Sequence, residues 1–311
     1  MVEIVQKLRS EKLEDFQSAI KSEIEKIGIA KKVKPNSRIA IAVGSRGIAH
    51  IAQCVSTVVE ELKKYGASPF IVPAMGSHGG ATPEGQVEVL RSLGVTEEVV
   101  KAPIVSSLEV EEIGRLPDNY PVYVSRNALN SDGIVLVNRV KPHTDFKDKI
   151  ESGLMKIAVV GLGKQKGAET LHSYGVEGYH KYLPIVAKYI IEKLPVLFGL
   201  AIVEDAYHEI SVVKAIPAKK IEEEERRLLE EAKRLMPKIP FKDIDVLIID
   251  QVGKDISGAG IDPNVTGRFV IPSERPIDSP NIKMIVALDL TEKTEGHAAG
   301  IGFADLTTRR L

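Results

Sequence analysis

The chain has 311 residues, long enough for a sizeable core and usually for more than one domain. Its net charge of −1 and its lack of tryptophan leave no global attraction to nucleic acid or an anionic membrane, and little material for base stacking. A single cysteine, Cys54, excludes an internal disulfide and a cysteine-rich zinc site, and its neighbours Ile51, Ala52 and Val55 make it a core residue. The N-terminus lacks the apolar centre of a signal peptide, and no apolar run reaches the ~18 residues of a membrane span, so the expected location is the cytoplasm.

Leu13, Phe16, Ile20, Ile24 and Ile27 recur at helical spacing and predict a helix over about 11–27. Residues 37–43 then read as a buried strand, followed by a helix that stops at Gly66. Residues 69–73 read as a second strand, and Thr82-Pro83-Glu84 as the capped start of another helix. Further strands are expected at 133–137, 198–203, 246–250 and 283–288. They are apolar on both faces, as in a parallel sheet covered by helices. The expected fold class is therefore α/β, with a parallel-sheet, Rossmann-like N-terminal domain over 1–238 and a smaller α/β domain over 239–311. A charged helix at about 218–236, rich in Glu and Arg at three- and four-residue spacings, reads as a solvated connection between them. The second domain ends directly after a glycine-rich loop and reads as incomplete relative to a longer protein.

Four polar clusters follow predicted strands: Gly44-Ser45-Arg46-Gly47, Gly76-Ser77-His78-Gly79-Gly80, Asn138 to His143, and Gln251 to Ser257. Ligands of open α/β sheets bind beyond the carboxyl ends of strands, so the convergence of these clusters marks a candidate site. Arg46 suits a carboxylate or phosphate, or else a structural acid. His78, among three glycines, suits catalysis or a loop-stabilising hydrogen bond. His143, behind Pro142 in a polar run, is a second functional candidate.

The run from Glu151 to Gly167 holds Lys156, Lys164 and Lys166 among four glycines. Its glycines fall as G-x-G-x-x-x-G, which is not the dinucleotide fingerprint, and no P-loop pattern is present. A plain phosphate-binding loop remains open. Lys156, beside Leu154, Met155 and Ile157, is either a partly desolvated reactive lysine or a surface one. His172 lies 16 residues further on (172 − 156) and by itself reads as a structural histidine.

Taken together, Arg46, Gly76-Ser77-His78-Gly79-Gly80-Ala81-Thr82, Pro142-His143, Ser152-Gly153-Leu154-Met155-Lys156 and His172 resemble the nickel-pincer lactate racemase family over roughly residues 36–270. The resemblance implies a pyridinium-3,5-bisthiocarboxylic acid mononucleotide carrying nickel, joined covalently to Lys156, with His172 completing a planar metal site. It implies His78 and His143 as acid and base and Arg46 on the substrate carboxylate. Lys164 and Lys166 are expected at the cofactor phosphate, and Lys254, Asn264 and Thr266 as further substrate contacts. The implied activity is racemisation or epimerisation of a small 2-hydroxy acid, with the pincer-making enzymes as partners and neither nucleic acid nor membrane involved. Around Arg46 the chain departs from the family pattern, since Val43-Gly44-Ser45-Arg46-Gly47 lacks the Asp, Thr and Pro of an Asp-x-Thr-Arg-Pro-like motif.

Two other readings compete. One is a non-catalytic binder of a phosphorylated or carboxylated metabolite, using Arg46, Lys164 and Lys166. The other is a divalent-metal enzyme with His78, His143 and His172 as ligands.

Overall fold

The computed structural model describes residues 2–45, 47–276 and 278–311. The chain falls into two compact units, one made of the residues up to Lys141 with Asp148–Leu235, the other of Pro142–Lys147 with Met236–Leu311.

The first unit is built on strands β1 (Arg38–Val43), β2 (Ser68–Pro73), β5 (Gly133–Arg139), β6 (Val196–Glu204) and β7 (Ile210–Pro217), with a separate hairpin of β3 (Val110–Leu116) and β4 (Tyr120–Ser125). The sheet order is β2-β1-β5-β6-β7. The first four strands run parallel, with Ile41 level with both Ile71 and Val135, whereas β7 is antiparallel to β6. An edge strand needs apolar residues on one face only, so β7 lacks the continuous apolar run that made its neighbours visible in the sequence.

The main helices are α1 (Phe16–Lys26), α2 (Ile51–Lys64), α3 (Pro83–Ser92), α4 (Lys164–Ser173), α5 (Leu183–Lys193) and α6 (Ile221–Leu235). Ile20 and Ile24 of α1 and Val55, Val58 and Leu62 of α2 share one core with Ile39, Ile41, Val135 and Leu200 of the sheet. Cys54 lies in that core, and burial pushes its thiol up to about 12. Residues Leu154–Gly161 run helically behind the sheet, Leu154 to Lys156 in α geometry and Ile157–Gly161 as a π turn, with Leu154 and Ala158 buried. The glycine-rich run from 154 to 173 is therefore helical over most of its length rather than a phosphate loop.

The second unit carries a three-stranded parallel sheet, ordered β10-β9-β8, from β8 (Asp243–Val252), β9 (Asn281–Leu290) and β10 (Leu306–Thr307). Its core gathers Val252, Ile261, Ile282, Ile285 and Ala287. Among the described residues, no helix is long and apolar enough to cross a membrane.

Candidate functional site

In the first unit, β1 connects outward to β2 on one side while β5 lies on its other side, so the strand order reverses between β1 and β5. A reversal leaves a crevice at the carboxyl ends of the two strands, because their connections depart in opposite directions. A cleft of about 580 Å³, including space open to solvent, lies there. Ser45 enters it from the end of β1, Asn138 and Arg139 from the end of β5, His78 from the loop after β2, and Lys156 from the helical turn behind the sheet. Lys141 also lines it.

The His78 loop is shaped by its own chain. Gly79 has φ +66°, and a Cβ there would come within 2.4 Å of the Gly85 backbone. Thr82 Oγ1 accepts the Gly85 N–H (3.0 Å) and caps α3, as its position before Pro83 predicts. Buried Gln86 donates from Nε2 to the carbonyl of Gly76 (2.9 Å) and more weakly to that of His78 (3.4 Å). The Nδ1 of His78 lies 2.6 Å from Ser45 Oγ, which joins the loops after β1 and β2 across the cleft.

Lys164 is placed differently from the expectation. It is fully buried, and its Nζ donates to the Pro73 carbonyl and to Gln86 Oε1 (3.1 Å). Burial lowers its ammonium to about 8. It does not line the cleft; through Gln86 it braces the His78 loop from beneath. Lys166 is exposed on α4 with its Nζ 4.4 Å from the centre of the Tyr123 ring, and it too is absent from the cleft wall.

Lys156 and His172 both lie near the ring of Tyr179. The Nζ of Lys156 lies 5.8 Å from the centre of the Tyr179 ring, and the His172 ring lies 5.8 Å from the same ring, inclined by 30°. His172 is exposed in the last turn of α4, and Tyr179 sits in a second π turn, Gly178–Tyr182. Such turns widen the helix by a residue and are common where a side chain must be re-aimed at a functional site. The segment before Lys156 is fixed by Asn138, whose Nδ2 donates to the Gly153 carbonyl (2.9 Å).

Arg139 is held by an ion pair with Glu204, which also accepts the Ala49 N–H at 2.7 Å. Burial alone would raise the Glu204 carboxyl, but hydrogen bonding from His208, the Arg139 guanidinium and the Ala49 N–H outweigh it and hold it below the ordinary range. Arg46 lies outside the described residues.

His143, Asn264, Thr266 and Lys254 belong to the second unit. His143 is buried against Phe146, with ring centres 4.5 Å apart, and its Nδ1 accepts the Asp145 N–H at 3.1 Å. That bond puts the proton of the neutral ring on Nε2. Asn264 donates from Nδ2 to the His143 carbonyl (3.1 Å) and accepts from Lys147, so these two expected residues come together. Thr266 is buried, and its hydroxyl donates to the Asp262 carbonyl (3.0 Å) within its own turn, so its polar group serves the local backbone. Lys254 is exposed in the turn after β8.

Sequence reasoning missed Tyr179 and Glu225. Tyr179 follows a break in the helix, where Gly175 has φ +59°, so no regular spacing from His172 points to it in the sequence. Glu225 stands in a run of four glutamates, yet it falls on the apolar stripe Ile221, Glu225, Leu228, Leu229, Ala232, Leu235 and is buried with it. Among the described residues, no three His, Cys, Asp or Glu side chains are grouped to hold a metal by themselves.

In comparisons with known proteins, no curated protein matches the chain. The structure of the lactate racemase apoprotein from Thermoanaerobacterium thermosaccharolyticum is similar in fold, with a TM-score of 0.63 at 15% identity, over 92% of this chain and 71% of that one. A crystal structure of a protein from Thermotoga maritima is similar with a TM-score of 0.55 at 15% identity, over 79% of this chain and 66% of that one. The model of the lactate racemase N-terminal domain matches residues 3–176, more than half of the chain and the stretch that holds Ser45, His78, Lys156 and His172. The chain belongs to the lactate racemase N-terminal domain family.

Proposed function

We propose that the chain is a racemase or epimerase of a small 2-hydroxy acid that works with a nickel-pincer nucleotide tethered to Lys156. The observation that carries this reading is the placement of Lys156 on the switch-point cleft that His78 also lines, with the Tyr179 ring near both Lys156 and His172. The donor set fits the group. A primary amine on the cleft wall can form the covalent tether, and an exposed imidazole that shares the Tyr179 ring with it can complete the metal's coordination. Lys141 is the lysine on the cleft wall besides Lys156 and replaces Lys164 and Lys166 as the proposed partner of the nucleotide phosphate.

The α-hydrogen of a 2-hydroxy acid is too weakly acidic for a histidine to remove as a proton; the bound cofactor supplies the hydride acceptor. The side chains then have three tasks. Arg46 orients the substrate carboxylate through a bidentate pair. His78 takes and returns the hydroxyl proton on one face, and its hydrogen bond to Ser45 steadies the ring during the transfer. His143 is the second acid-base candidate and rests as a donor, because the Asp145 N–H occupies its Nδ1. The metabolite-binder reading loses support, since Lys164 and Lys166 do not line the cleft.

The test is co-expression with the pincer-making enzymes, followed by intact-mass and metal measurement. The expected result is an adduct on the peptide containing Lys156 together with bound nickel. Lys156→Ala should lose both, and His172→Ala should keep the adduct while losing most of the nickel. An unmodified Lys156 without nickel under these conditions overturns the proposal.

A further inference from the structure

Glu225 is the most unusual group in the first unit that the proposed chemistry does not use. It projects from the middle of α6, is 1% exposed, and lies against the start of the turn that carries Lys156. Its carboxylate accepts the N–H of Met155 (2.9 Å, to Oε2), and the neighbouring Leu154 N–H favours its charged form. These N–H groups open the helical run 154–161 and have no carbonyl partner of their own within it, so a carboxylate there both satisfies them and complements the helix dipole. The fit is close: a Cβ on Gly153 would come within 2.5 Å of the Glu225 carboxyl carbon. Among the described residues, Oε1 of Glu225 has no hydrogen-bond partner, which is costly for a buried oxygen. The same helix holds the segment a second time, since Lys233 pairs with buried Glu151 at 3.3 Å. From the opposite side Asn138 holds the Gly153 carbonyl. Residues 151–155 are thus gripped on both sides, and Lys156 is the first side chain beyond that grip to line the cleft.

We infer that Glu225 is a positioning residue for Lys156: its buried carboxylate fixes the turn that holds the lysine amine on the cleft. The inference rests on Lys156 being the functional lysine, but its test needs no cofactor. Burial pushes the Glu225 carboxyl up to about 7, against the two N–H bonds that lower it, so the group is held in place at a cost that bulk packing alone would avoid.

The experiment measures the rate at which acetic anhydride acylates Lys156 in the full, cofactor-free chain, read by peptide mass spectrometry, with Lys166 as internal reference. Glu225→Gln keeps the volume but turns an amide N–H₂ or a weaker acceptor toward Leu154 and Met155. It should change the Lys156 rate at least threefold and raise amide exchange at residues 154 and 155 about tenfold, with the Lys166 rate unchanged. Gly153→Ala displaces the carboxylate without removing it and should give the same pattern; it carries the test if Glu225→Gln does not fold. Unchanged Lys156 rates and exchange in a folded variant overturn the inference, and so does a parallel change at Lys156 and Lys166, which marks general loosening. A cofactor adduct missing from wild-type Lys156 overturns the proposed function and leaves this positioning standing.

Discussion

His78 is exposed, and its Nδ1 lies 2.6 Å from the hydroxyl of Ser45. A hydroxyl both donates and accepts, so Nδ1 can carry its proton or give it up while the ring stays in place. His143 differs, because a backbone N–H can only donate and its Nδ1 is bound to accept. The two proposed acid-base groups are therefore not equivalent: one can exchange tautomers in place, and the other starts with its proton on Nε2. Ser45→Ala removes the hydroxyl without touching the lysine or the metal ligand. It should leave the Lys156 adduct and the nickel content intact and lower kcat by about tenfold, below the full contribution of a general base. Turnover equal to wild type in fully loaded Ser45→Ala would show that the hydroxyl plays no part in orienting His78.

At the scale of elements, α6 shows what its sequence reveals and what it conceals. Its outward side pairs Arg226 with Glu222 and Arg227 with Glu223 at four-residue spacing, which is the solvated face its composition implies. Its inward side buries Leu229 at 1% exposure. Arg226→Ala should then cost under about 0.5 kcal/mol, whereas Leu229→Ala should cost about 2–5 kcal/mol by leaving a cavity. Urea unfolding of the two variants decides this, and similar losses would mean that the charged face stabilises the helix more than exposed ion pairs do. Composition could not separate Glu225 from its three neighbours, because one side chain facing inward changes no average; only the phase of the apolar stripe does so. The parallel strands of the first unit were legible because both their faces are buried, and the cap at Thr82 because its chemistry is local; β8 has the same apolar run with Val246 and Ile248 50% and 60% exposed. The β3–β4 hairpin and β7 were not, since their faces are mixed. The helical course of 154–166 was hidden by glycines that admit close packing but leave a loop reading open. Of the site, His78 and Lys156 were legible as types in place, while the misassignment of Lys164 came from counting charges without knowing that its stem and ammonium turn inward.

Over the whole molecule, the two buried groups that flank the site act on stability in opposite directions with pH. Glu225 titrates near 7 in the folded chain against 4.5 ordinarily, so between those values the folded state holds a proton that the unfolded chain has released. Its contribution therefore falls as pH rises from 4.5 to 7, by about 3 kcal/mol at most. Lys164 titrates near 8 against 10.5, so between those values the unfolded chain holds a proton that the folded state has released. Its contribution rises over that window by a similar amount, about 3 kcal/mol. Between pH 7 and 8 both groups are largely charged and both costs are present together. Neutral pH is thus where the bracing of the His78 loop by Lys164 and of the Lys156 turn by Glu225 is most expensive to the fold. Glu225→Gln should remove the fall on the acid side and Lys164→Met the rise on the alkaline side. Cys54 and Tyr120, both raised by burial, also titrate on the alkaline side but are common to all the variants and cancel in the difference from wild type. The measurement is the urea-unfolding free energy of each variant minus that of wild type between pH 4.5 and 10.5. The difference should grow from pH 4.5 to 7 for Glu225→Gln and shrink from pH 8 to 10.5 for Lys164→Met, whatever constant offset the lost hydrogen bonds add. Differences that do not vary with pH would mean that the proton affinity of neither group differs between the folded and the unfolded chain.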